Sequence, residues 1–170
     1  MSSSSPSLRT PTLALPVKLA LRGESLTSAT LFVPDVPRQA RAQLLEDVRL
    51  LLEQERDFLP VDLDGARTLV SRAVISYVSV ARRPSGLVTS FGDDEVSDVH
   101  TLFDHRCPVL VTLVDAKTLR GTLLFSSSAD RARLMDFINL GPRFLSLWRT
   151  DDLLLVQRSA IRSIIEVAEG

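Results

Sequence analysis

VQRSAIRSIIE, residues 156–166, and VSRAVISYVSV, residues 70–80, place Val, Arg and Ile at the same offsets, with an apolar residue three places beyond the Ile. In a chain of 170 residues such an echo signals internal duplication, and its extent decides the fold. Upstream of the echo the two copies run without a gap, FLPVDLDGARTLVSRAVISYVSV beside FLSLWRTDDLLLVQRSAIRSIIE. Phe58 pairs with Phe144, Leu59 with Leu145, Val70 with Val156, Arg72 with Arg158 and Ile75 with Ile161. Turn residues at DLDG and RTDD divide each stretch into three short strands.

Further upstream each copy carries a helical block. In RQARAQLLEDVRLLLEQERD the residues Leu44, Leu45, Val48, Leu51 and Leu52 recur at helical spacing and form one apolar stripe. Asp35 and Pro37 mark its approach as a cap and a first-turn proline. The shorter SSADRARLMDFINLGP aligns Leu134, Met135 and Ile138, with Ser128 as a candidate N-cap and Gly141–Pro142 as a stop. Each copy opens on an alternating stretch, PVKLALRGESLTSATLFV from Pro16 and PVLVTLVDAKTLRGTLLF from Pro108. Period-2 alternation broken by RGE or DAK predicts a β-hairpin. Each copy therefore reads strand, strand, helix, strand, strand, strand.

Five short strands around a tight hairpin predict a small bent sheet that closes into a partial barrel. The expected fold class is α+β: two tandem Sm/SH3-like five-stranded barrels, each with a helix inserted between strands 2 and 3. The expected organisation is a disordered Ser/Pro lead-in over 1–15, repeat 1 over 16–81, a linker over 82–107 and repeat 2 over 108–170. About 60 residues is marginal for a lone domain, and packing of two copies relieves that. The apolar run LLLVQR stands out as a barrel edge open to strand addition. Phe32, Phe58, Phe125, Phe144 and Trp148 fall at matched or strand positions and read as core.

The hairpin LVDAKTLRGTLLF and the endings VQRSAIRSI and VSRAVISYV resemble the Sm-like fold, including the bacterial Hfq group. The outline is also similar to that of uncharacterised bacterial domains. The Sm resemblance implies bent barrels, assembly into rings and RNA binding. That family's RNA pocket uses a polar segment that neither FLPVDLDG nor FLSLWRTD supplies, which leaves Arg72 and Arg158 as the pocket positions that carry over.

Composition narrows the remaining classes. Hydrophobic residues make up 45 % of the chain and the net charge is −1, so no global field attracts nucleic acid or anionic membrane. Aromatics are only 5 %, few for base stacking. The single cysteine, Cys107, excludes an internal disulfide framework and predicts a reducing, cytoplasmic location. No run approaches the roughly 20 apolar residues of a membrane span, and the N-terminus lacks signal-peptide character.

Candidate chemistry is sparse. His100, His105 and Cys107, with Asp98 and Asp104, gather metal-ligand types in and beside the linker. Their spacing fits no closed tetrahedral set, so no metal or other cofactor is expected. No Gly-rich phosphate loop or nucleophile elbow occurs, and neither repeat contains a histidine to act as base, so no enzyme is expected. Arg72 and Arg158 are the candidate ligand- or partner-binding residues, with strand-end carboxylates such as Asp62 or Asp151 as their alternative partners. The amphipathic helices are expected to clasp each other or to offer a groove to a partner. The expected function is a non-enzymatic, protein-binding scaffold that self-associates. The alternative is an Sm-like RNA-binding protein in which two ring subunits are fused.

Overall fold

The computed structural model describes residues 11–38, 41–82, 103–126 and 134–168. The first half comprises β1 (Thr12–Leu21), β2 (Thr27–Pro34), α1 (Arg41–Glu53), β3 (Phe58–Leu63), β4 (Ala66–Ser71) and β5 (Ile75–Ala81). The second comprises β6 (His105–Leu113), β7 (Thr118–Phe125), α2 (Leu134–Leu140), β8 (Phe144–Trp148), β9 (Asp152–Gln157) and β10 (Ile161–Glu166). A single 3-10 turn, Arg72–Val74 or Arg158–Ala160, precedes the last strand of each half. β1 and β6 begin ahead of Pro16 and Pro108, so Thr12–Leu15 and His105–Cys107 are strand residues.

The two separate barrels with inserted helices do not form. Among the described residues, ten strands form one open antiparallel sheet in the order β10-β6-β7-β8-β9-β5-β1-β2-β3-β4. Within it each half keeps the same internal order, its last strand beside its first. The halves join where β5 pairs with β9, with Tyr77 opposite Val156, Val78 opposite Leu155 and Val80 opposite Leu153.

The reason lies in β9. A strand with one solvent face alternates apolar and polar residues, whereas one buried on both faces is continuously apolar. β9 reads DLLLVQ, and every residue after Asp152 is buried. Leu154 and Val156 pack into a core with Val109, Val111, Leu113 and Leu147 of their own half. Leu153 and Leu155 face the other way, into a core with Leu15, Leu31, Val48, Leu59 and Val78 of the first half. The apolar run that reads as a free edge is thus an interior strand, satisfied within the chain.

α1 completes this joint. Leu44, Leu45, Val48 and Leu52 are buried in the first core together with Phe144 and Trp148 of β8, and the helix lies on β2 and β8. At its C-terminal end the Glu53 carboxylate accepts the backbone N–H of Phe144 at 2.7 Å and of Arg143 at 3.1 Å. These two bonds tie the end of α1 to the start of β8.

A shared core predicts shared unfolding. Leu155→Ala is expected to cost about 2–5 kcal/mol, the range for truncating a buried leucine. Trp148 fluorescence and far-UV circular dichroism should follow one coincident urea transition, whereas independent halves would give two.

Candidate functional site

Both matched arginines sit in equivalent surroundings, and both face inward. Arg72 is buried, and its guanidinium donates to the carbonyls of Arg56, of Phe58 at 2.8 Å and of Leu51 at 3.1 Å. Its backbone N–H donates to Asp57 O. Arg158 repeats the pattern: its Nη1 donates to the carbonyls of Ile138, Asn139 and Gly141 at 2.9–3.0 Å, and its N–H to Arg143 O. Each arginine therefore ties the last turn of its own half's helix, through its carbonyls, to the segment that follows it. Burial lowers the pKa of Arg72, and the neighbouring charges of Arg143 and Arg56 act in the same direction. Of the alternative carboxylate partners, Asp62 pairs instead with Arg67 at 2.8 Å.

The metal-ligand types are not assembled. His100 and Asp98 lie outside the described residues. His105 and Cys107 lie on β6, where the His105 ring stacks on Phe125 at 5.2 Å. Burial pushes the Cys107 thiol up, and the Glu166 carboxylate adds to the effect, opposite to what favours a thiolate ligand. Among the described residues no group of three or more His, Cys, Asp or Glu side chains could hold a metal ion.

A groove of about 1010 Å³ runs along the joint of the two halves, lined by Lys18, Asp62, Asp64, Arg149, Asp151 and Asp152 among others. Its strongest feature is a clasp across the joint. Ser79 of β5 donates to Asp152 at 2.6 Å, and Arg149 donates to both Asp152 oxygens at 2.6 Å. Burial of Asp152 favours its neutral form, but the hydrogen bonds from Arg149 and Ser79, with the charges of Arg149 and Lys18, outweigh it. The net result holds the carboxyl below its usual range.

The surfaces left open are the two ends of the sheet. Among the described residues β4 pairs only with β3, and β10 only with β6, so each presents a strand edge that no described strand occupies. Beside the β4 edge, Phe58, Pro60 and Leu69 share the outer face of β3 and β4, with Pro60 directly opposite Leu69. Phe58 is 55 % exposed and Leu69 67 % exposed. Phe58 thus departs from its expected core position, although its counterpart Phe144 is fully buried. Beside the β10 edge, a groove of about 900 Å³ opens between that strand and α2, lined by Leu134, Met135, Ile138, Ile161, Ile164 and Glu166 among others. Met135 and Leu140 of α2 are 60 % and 87 % exposed. The sequence signal was available here: Phe58, Pro60 and Leu69 lie on a face whose other members, Asp62, Arg67 and Ser71, are polar.

No protein-family model, curated protein or solved structure matches the chain. Among the described residues no helix is long and apolar enough to cross a membrane.

The two sets of interactions predict distinct stability signatures. Arg72→Ala strands three carbonyls in a buried place and is expected to cost about 3 kcal/mol, with Arg158→Ala costing less because its site is partly open; urea unfolding measures both. The depressed Asp152 pKa contributes stability that is present above the unfolded value of about 3.9 and lost as pH falls through the folded value. Asp152→Asn should therefore lower stability at neutral pH and flatten its decline below about pH 4, read from urea unfolding at a series of pH values.

Proposed function

We propose that this chain is a non-enzymatic, cytoplasmic scaffold that works by pairing its sheet edges with protein, and that it self-associates. The observation carrying this is the coincidence, among the described residues, of an unpaired strand edge with exposed apolar surface at both ends of one sheet. Open strand edges are templates for further strands. Strand addition supplies backbone hydrogen bonds for affinity, and neighbouring apolar pockets supply selectivity.

The RNA-binding alternative depends on Arg72 and Arg158. Their engagement with carbonyls of their own halves favours a structural role for them. It leaves that alternative without the residues that suggested it.

Light scattering across a chromatography peak, with absorbance at 260 and 280 nm, tests the proposal. The expected result is a nucleic-acid-free oligomer that persists in high salt. A monomer, or a particle whose 260 nm absorbance is stripped by salt through counterion release, overturns it.

A further inference from the structure

Inside the chain, the joint between the halves shows how a sheet end of this kind is covered. The groove between α1 and β5 is filled from the second half: Phe144 and Trp148 of β8, and Leu153 and Leu155 of β9, enter the core formed with Val48, Leu52, Val78 and Val80. The groove between α2 and β10 is the counterpart of that site in the second half, and among the described residues it is unfilled. The side chains that would fill it by the same geometry are the first-half counterparts of Phe144 and Leu155. Those are Phe58 and Leu69, which are exposed at the opposite end of the sheet.

We propose that the groove between α2 and β10 receives Phe58 and Leu69 from β3 and β4 of a second copy of this chain, joined head to tail as β5 and β9 are joined internally. This deepens the self-association reading and rests on it. The register follows from the ungapped pairing of the two halves. Val78 opposite Leu155 becomes Ile164 opposite Leu69. Ser79 opposite Leu154 becomes Ile165 opposite Thr68. Val80 opposite Leu153 becomes Glu166 opposite Arg67.

The last substitution is informative. At the one position where both residues have changed from apolar to charged, they have changed to opposite signs, and opposite charges directly across a strand pair are favourable. Arg67 is already oriented on its own surface, its Nε on Asp62 and its guanidinium 4.2 Å over the Phe32 ring. The helices agree with the strands. α1 covers β8 across the internal joint, so the same operation lays α2 over β3 of the neighbour. That places the exposed Met135 and Leu140 beside the exposed Phe58 and Pro60. One surface thus meets a different one, a heterologous contact, so repetition builds a closed ring or an open filament rather than a twofold dimer.

Complementation between variants tests the register. Leu69→Lys blocks the β4 end, and Ile165→Lys, at a residue 55 % exposed, blocks the β10 end. Met135→Lys on α2 is a second block of that end, away from the strand. Thermal melts should match the native chain, since all three residues are exposed. Each variant alone is expected to associate at least about tenfold more weakly than the native chain, a loss of about 1.4 kcal/mol or more. Mixing Leu69→Lys with either β10-end variant restores one intact contact and should give a one-to-one heterodimer by light scattering. If the native chain assembles but no mixture yields that heterodimer, or if one variant still dimerises by itself, the head-to-tail register is wrong while self-association stands. A native chain that is monomeric defeats both.

Discussion

The hydrogen-bonded ladder between β5 and β9 is where two incomplete sheets become one molecule. On its own, the first half has Val78 and Val80 facing a groove that its own strands do not close. The second half has a strand, β9, whose leucines point to both sides. Pairing these strands satisfies the backbone of each and lets Leu153 and Leu155 enter one core while Leu154 and Val156 enter the other. The position of α1 over β8, the Glu53 hydrogen bonds and the Ser79–Asp152–Arg149 clasp all depend on that ladder. Arg149 and Asp152 are neighbours within the second half, but Ser79 reaches Asp152 only across the joint.

Much of the local organisation was legible in the sequence because it is written in side-chain periodicity. Alternation through Val17 and Leu19 gives a hairpin strand, and the spacing of Leu44, Val48 and Leu52 gives a helix. Closure was not legible. Whether five bent strands meet their own ends or continue into another five is settled by which faces of β9 and β5 are buried, and DLLLVQ was informative only as a run apolar on both sides. Such a run signals an interior strand more strongly than an edge open to strangers. That distinction separates the single sheet from the pair of barrels.

The arginines illustrate a different limit. Arg72 and Arg158 stand out because the duplication retains them, and retention in both copies suits a ligand as well as it suits a structural tie. Their actual acceptors are backbone carbonyls of Leu51, Phe58, Ile138 and Gly141, which every residue possesses and no sequence displays. The open surfaces had the opposite character. Phe58 matches Phe144 in type but not in environment, and the sign of it in the sequence was the polar Asp62, Arg67 and Ser71 on the face that Phe58 shares.

Because Leu153 and Leu155 complete the first core, the order of synthesis runs against the order of completion. The first half leaves the ribosome with Val78 and Val80 uncovered, and it stays so until β9, far along the chain, has emerged. Pairings of such long sequence separation form slowly and leave apolar surface open meanwhile. The segment made first is therefore among the last to be sealed.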